Sequence, residues 1–456
     1  MSTSKKILNS LRILTILTQP RSGIGFAICC RLIDEFLHTR PQSQTLLLIP
    51  TTRSQRKCTD TASLLQKHLA RATHNAEQQL PGIAALFARR VRIEPEILDL
   101  SSIVSVHDCA KRLRARIPKL DAMVFNAGIG GWTGINWPHA VYHIMTDWVN
   151  ANTWPVGFKK ATVGMVTRKQ APSSSQAAGG QDEEPALGEV FAANVFGHYL
   201  LGHYCAPLLQ ACSPHRGRMI WMSSLEAYAS DFSLQDFQGL ESLVPYEASK
   251  RLTDILALTY DMPGARPSSL PYFSLTERAA DEGKAGDDDE AASPSWPGPH
   301  MYIAHPGIVI TGIFPLPFPW LLTYVWMFAA YVARWLGSPW HPVRAYPGAV
   351  APVWLALAEQ ATLDGAESQE GKGKWGSSTD RAGRERVART EVEGWGFGGR
   401  VGDSVGKKGR APKAKDLTEE EKGEFEKLGA VCWREMEGLR TGWVGRLKAR
   451  GVDLED

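Results

Sequence analysis

Short apolar runs alternate with stretches of helical period almost from the start of the chain, and this restricts the fold more than any other feature. Residues 13–17, 45–49, 91–98, 122–125, 219–222 and 301–304 read as strands. Between them, residues 25–37, 58–70, 103–117, 187–211 and 246–260 carry apolar side chains at helical spacing. Continuously apolar strands are covered on both faces, and strand–helix–strand order makes them parallel. The expected fold class is α/β: a Rossmann-type doubly wound parallel sheet with helices on both faces, plus insertions and a C-terminal helix.

Three segments break the rhythm. Residues 130–185 hold Trp132, Trp137, Trp148 and Trp154 before a Ser/Gln/Gly-rich run, and residues 264–299 are rich in Pro, Ser, Ala and Asp. The low-complexity parts, about 165–185 and 264–299, read as exposed, disordered insertions in a first domain spanning 1–363. Residues 364–415 are dominated by Gly, Lys, Arg and Glu and read as a flexible region with one short strand near 374–380. Beyond it, Thr418-x-x-Glu421 has the form of a capping box. Phe425, Leu428, Cys432, Leu439 and Trp443 then recur at helical spacing, so 416–450 reads as an amphipathic C-terminal helix.

Composition removes several function classes. A net charge of +3 with no basic stripe gives nucleic acid nothing to bind. The seven cysteines form no Cys-x-x-Cys pair and sit at no metal-ligand spacing, which excludes a zinc module and a disulfide framework. The apolar run 11–17 is too short, and lacks the small-residue cleavage site, for a secretory signal.

The turn after the first strand reads Thr18-Gln19-Pro20-Arg21-Ser22-Gly23-Ile24-Gly25. A glycine turn opening a helix brings backbone N–H groups and the positive helix end against a pyrophosphate. The second strand ends in Thr51-Thr52-Arg53 without an acidic residue. Arginine at that tip suits the 2′-phosphate of NADP(H), where a carboxylate would select NAD. Asp99 follows strand three, placed to bond an adenine amino group, and Asn126-Ala127-Gly128 gives an approachable backbone after strand four.

Tyr246 and Lys250 stand four apart on a helix and so share a face. A cation beside a phenol favours the phenolate, which makes the tyrosine a proton donor or acceptor. Strand five ends in Met222-Ser223-Ser224, and a serine at a strand tip can bond a substrate carbonyl. Asn194, in the preceding helix, is placed to hold a water that relays protons to the lysine.

In this order, Thr18…Gly23-x-Gly25, Asn126-Ala127-Gly128, Asn194, Ser224 and Tyr246-x-x-x-Lys250 resemble the short-chain dehydrogenase/reductase superfamily. The resemblance brings in Pro306-Gly307-Ile308-Val309-Ile310-Thr311, whose Val309 and Thr311 would meet the nicotinamide amide. Five further stretches are similar to the fungal 3-keto-steroid reductases of ergosterol synthesis. They are Gly25 to Asp34, Asn126 to Trp132, Phe232 to Phe237, Lys374 to Asp380 and Cys432 to Glu437. This implies NADPH-dependent reduction of the 3-keto group of a 4-methyl sterol intermediate to the 3β-alcohol. It implies work at the endoplasmic reticulum membrane or lipid droplet, on the cytosolic face. The implied partners are a C-4 methyl oxidase, a C-3 dehydrogenase/decarboxylase and a scaffold protein. The site set it implies has Ser224, Tyr246, Lys250 and Asn194 as catalytic residues. Thr18, Gly23, Ile24, Gly25, Thr52, Arg53, Asp99, Asn126, Gly128, Tyr246, Lys250, Val309 and Thr311 would hold NADPH.

Two positions depart from the superfamily. Gln19 stands where glycine is usual, and a side chain there would crowd the adenosine or strain the turn. A scaffold subunit without catalysis, or a reductase of another lipophilic ketone, stand as the alternatives. Ser224 lies further from Tyr246 than usual, so Ser233 competes with it on spacing while Ser224 holds the strand-tip position. Finally, the chain has no charged residue from 308 to 333, and 313–336 reads as a helix that dips into a membrane surface, broken at its start by Pro315, Pro317 and Pro319.

Overall fold

The apolar runs at 45–49, 122–125, 219–222 and 301–304 become strands buried on both faces. The computed structural model describes residues 10–16, 23–171, 184–274, 298–311, 319–402, 409–412 and 414–454. Strand β1 (Ser10–Ile16) precedes helix α1 (Ile24–Thr39), β2 (Thr45–Thr52), α2 (Gln55–Gln79), α3 (Ile83–Arg90), β3 (Val91–Ile93), β4 (Glu96–Ile97), α4 (Ile103–Arg116) and β5 (Ala122–Phe125). An inserted unit follows: β6 (Trp132–Ile135), α5 (Trp137–Thr146), α6 (Trp148–Thr153) and β7 (Lys159–Ala161). The next helix starts as α7 (Glu189–Phe191), widens into a π-helical turn over Ala192–Phe196, and continues as α8 (Gly197–Gln210). Then come β8 (Arg218–Met222), α9 (Pro245–Thr259), α10 (Arg266–Phe273), β9 (His300–His305) and α11 (Pro319–Trp335). The chain closes with α12 (Ala345–Gly348), α13 (Val350–Leu357), α14 (Gln360–Glu370), β10 (Lys374–Thr379), β11 (Glu385–Thr390) and α15 (Glu419–Ala449).

The main sheet runs β11-β10-β9-β8-β5-β1-β2-β3, with β4 also on β2. Its pairings are parallel except that of β10 with β11. Side chains alternate between two cores, as the pleat requires. Leu46, Leu48, Val124, Ile220, Met222 and Ala304 join α1 and α13 on one face. Leu47, Ile49, Met123, Phe125, Trp221 and Ile303 join α4, α8 and α9 on the other, with α15 beyond them. The doubly wound reading holds. β1 has β2 on one side and β5 on the other, so the connections leaving these strands diverge and open a crevice at their carboxyl ends.

Three expectations need correction. The strand expected over 91–98 is two short ones, because Pro95 lies between them and has no N–H for the ladder. The disordered insertion at 264–299 is helical in its first part: α10 buries Tyr272 and Phe273, and the Tyr272 carbonyl accepts from His203 Nδ1 at 2.7 Å. The rest of that insertion, 275–297, and residues 172–183 lie outside the described residues. The flexible region at 364–415 is folded over much of its length. β10 buries every one of its residues, extends the sheet beyond β9 and receives β11 along its edge, so no boundary falls at 363. Glycine and charge dominate that composition, yet Lys374, Ser377 and Ser378 are buried by pairing with specific partners.

α15 begins with the expected capping box. Thr418 Oγ1 accepts from the Glu421 N–H at 3.1 Å, and the Glu421 carboxylate accepts from the Thr418 N–H at 3.0 Å. α11 buries Ala329, Ala330 and Ala333 and leaves Trp320, Tyr324, Val325 and Phe328 exposed. Among the described residues no helix is long and apolar enough to cross a membrane.

Candidate active site

The crevice holds a cavity of about 640 Å³. Its lining includes Gly23, Ile24, Gly25, Arg53, Asn126, Gly128, Ser224, Tyr246, Lys250, Val309 and Thr311, all expected from the sequence. Gly23 has φ 101°, a conformation side chains resist, and it caps α1 without a side-chain bond to the first helical N–H groups. Such a helix start suits a phosphate. A Cβ on Gly128 would stand 3.0 Å from Asn194 Oδ1, so a side chain there would press on the asparagine that holds this loop. The segment after β9 is fixed by bonds from Ile308 N to Trp340 O at 2.7 Å and from Ile310 N to Val343 O at 3.0 Å. These residues fit a dinucleotide cofactor.

Not every expected residue reaches the cavity. Thr52 is buried, its hydroxyl turned to Cys58 Sγ at 3.1 Å and Ser54 O at 3.3 Å. Asp99 lines a small adjoining recess that it shares with Arg53, and its Oδ1 accepts from the Ser101 N–H and hydroxyl. Thr18 and Gln19 lie outside the described residues. Lys57, one turn into α2, lines the cavity with Arg53 and was not singled out from the sequence.

Asn194 sits in the π-helical turn and spends its amide on the loop after β5. Its Oδ1 accepts from Ile129 N–H at 2.8 Å, and its Nδ2 donates to Ile129 O and to Ser249 Oγ, both at 3.0 Å. Such π-bulges recur at functional sites because they turn a side chain out of the helix register.

Ser224 Oγ accepts from the Glu226 N–H at 3.2 Å, which leaves its own proton to donate. Ser233 is exposed and donates to Gln235 Oε1 at 2.8 Å, away from the cavity. The longer spacing arises because the chain between β8 and α9 makes a surface excursion before returning. Burial drives the Tyr246 phenol up to about 12; Lys159 opposes this, Glu226 and Glu247 add to it, and Ser224 lowers it. Lys250 Nζ stands 5.4 Å from the Tyr246 ring centre and donates to Met222 O at 2.7 Å. Burial, helped by Lys374 and resisted by Asp254, brings its pKa down to about 8.

A second buried lysine supports this end of β8. Lys374 donates to Asp254 Oδ2 at 2.7 Å and to the Ser224 carbonyl, while Ser223 bonds the other Asp254 oxygen. The sequence offered Lys374 only as part of a similar stretch. Lys159 and Glu226 also line the cavity, and nothing in the linear pattern pointed to them. The remaining wall is apolar: Trp132, Trp137, Ile144, Phe158, Val325 and Trp326 among others. The arrangement can hold a dinucleotide, orient a carbonyl on Ser224 and Tyr246, and pass a proton to its oxygen beside an apolar body.

Two named reductases are similar to this chain over nearly its whole length. The 3-keto-steroid reductase erg27 of Aspergillus fumigatus is 47% identical over 445 residues, 95% of this chain and 94% of that protein. The 3-keto-steroid reductase ERG27 of Gibberella zeae is 38% identical over 470 residues, again 95% and 94%. Among solved structures, a Pseudomonas aeruginosa RhlG/NADP complex is 15% identical with a TM-score of 0.37, over 77% of this chain and 91% of that one. A scan against models of protein families found no match.

Proposed function

Because the chain belongs to the fungal 3-keto-steroid reductases, a family of short-chain dehydrogenases/reductases, we propose that it reduces the 3-keto group of a 4-methyl sterol intermediate to the 3β-alcohol, using NADPH, in ergosterol synthesis. The observation that carries this reading is a single cavity uniting three sets of residues: the glycine turn with Arg53 and Lys57, the Ser224–Tyr246–Lys250 group, and an apolar wall fit for a fused-ring body. The cations Arg53 and Lys57, with no acidic residue at the tip of β2, support NADPH over NADH.

When bound, NADPH supplies the hydride that reduces sterol C3. Ser224 donates to the ketone oxygen and holds it within reach of the Tyr246 hydroxyl. Tyr246 gives its proton to that oxygen as the alcohol forms, and Lys250 stabilises the phenolate left behind. Asn194 fixes the loop at Ile129 and supports proton return to Lys250.

The exposed apolar faces of α11 and α5 extend the proposal to a site of action. The protein rests on the cytosolic face of the endoplasmic reticulum membrane or a lipid droplet, beside the methyl oxidase, the C-3 dehydrogenase/decarboxylase and their scaffold. Incubation with NADPH and a panel of lipophilic ketones tests the substrate. A 3β-hydroxy sterol as the preferred product supports the reading; equal or better turnover of unrelated ketones contradicts it.

A further inference from the structure

The inserted unit places a charged cluster against the reacting tyrosine. Lys159, at the start of β7, sends its ammonium to 4.3 Å from the Trp132 ring centre and 5.5 Å from that of Tyr246. The same ammonium pairs with Glu226, from the loop after β8, and reaches Glu247 Oε1 at 3.2 Å. The three side chains are only 16%, 9% and 7% exposed. Two carboxylates and one ammonium in so dry a place do not all keep their charges at low cost. Burial lifts Glu226 to about 7, and the two carboxylates hold Lys159 charged against the opposing effect of burial. Lys250 belongs to another set, with Met222 O, Asp254 and Lys374 around it. Among the described residues, the charged groups facing Tyr246 are Lys250 and Glu247 from its own helix, Lys159 from β7 and Glu226 after β8, while Asp231 and Glu393 lie against the carboxylate side of the cluster.

We propose that Lys159 is a second cation for Tyr246, and that Glu226 sets how much of its charge the phenol feels; both are positioning residues for the proton transfer. The proposal rests on the reductase reading above. In the reduction, the carbonyl carbon gains a hydride with its electron pair and the carbonyl oxygen takes the Tyr246 proton. The tyrosine O–H bond breaks and leaves its pair on the phenolate, while no bond to Lys159 forms or breaks. The charge that appears on Tyr246 is what the nearby ammonium stabilises, and low local polarity makes that contact count. A lysine whose charge did not reach the phenol would leave the tyrosine's proton affinity where it was.

The test uses the full chain in both directions, with 3-keto sterol and NADPH and with the alcohol and NADP. In oxidation the phenolate accepts the proton, so the acid limb of the rate profile follows the proton affinity of Tyr246. Lys159→Met moves that limb to higher pH and lowers kcat for reduction, by up to about tenfold per unit moved, with KM for the ketone little changed. Glu226→Gln moves the limb to lower pH, and Lys159→Arg restores most of the wild-type profile. The double variant Lys159→Met/Glu226→Gln keeps the cluster balanced if the single lysine variant folds poorly, and its limb also lies above that of Glu226→Gln alone. Limbs that stay at the wild-type position, or that move the same way for Lys159→Met and Glu226→Gln, overturn the proposal while wild-type turnover leaves the reductase reading standing. Absence of wild-type turnover overturns that reading and the proposal with it.

Discussion

At the scale of single residues, the site is a contest between burial and charge. Lys250 has a pKa near 8, so its ammonium is present below that pH and is lost above it. The wild-type kcat/KM for ketone reduction accordingly falls with one deprotonation within about a unit of pH 8; a profile flat from neutrality well into the alkaline range contradicts this. At the cofactor end, Arg53→Ala removes a cation that a 2′-phosphate requires. It lowers the preference for NADPH over NADH by about tenfold or more, measured as the ratio of kcat/KM values, while an unchanged ratio sinks the assignment. Much of this set was legible in the chain. Gly23 opens a helix, Asn126 and Ser224 follow strand ends, and Tyr246 and Lys250 stand one helical turn apart, relations that linear spacing encodes. Lys159 was not, because it reaches Tyr246 only through an inserted hairpin whose path no local pattern reveals. Thr52 was expected on the cavity wall, but the strand's alternation turns its hydroxyl to Cys58.

At the scale of elements, α15 shows how a distant helix supports the domain. Trp433 is fully buried against Tyr199, Tyr272 and Phe273. Trp433→Ala costs about 3–5 kcal/mol by denaturant unfolding, and Thr418→Ala costs about 1 kcal/mol through loss of the cap. A Trp433 variant as stable as wild type would mean that α15 is an appendage. The capping box and the helical period made this helix readable. The short strand expected near 374–380 is β10, but β11 was hidden by the glycine and charge around it, and so was the joining of β10 to β9, a long-range pairing that composition does not carry. The alternation of short apolar strands, by contrast, announced the sheet because both faces of a parallel strand are buried wherever it lies.

At the scale of the whole molecule, the cavity wall and the exposed apolar surface share two helices. α5 and α11 each line the cavity with some side chains and expose others: Tyr142 and Met145 on α5, Trp320, Tyr324 and Phe328 on α11. An apolar substrate that enters from a lipid surface would need this geometry. Replacing Trp320, Tyr324 and Phe328 with serine reduces co-sedimentation with vesicles and raises KM for sterol presented in them, leaving kcat on detergent-dispersed sterol unchanged. Undiminished vesicle binding contradicts the membrane face. The proton-donor role proposed for Tyr246 in NADPH-dependent ketone reduction is the centre of the chemistry. It is tested most directly by NADPH oxidation with a 4-methyl 3-keto sterol, comparing wild type with Tyr246→Phe. The wild type turns over, and the variant loses at least about a hundredfold of that rate with NADPH affinity retained. A variant that turns over at the wild-type rate, or a wild type that binds NADPH and leaves the ketone unchanged, would contradict it.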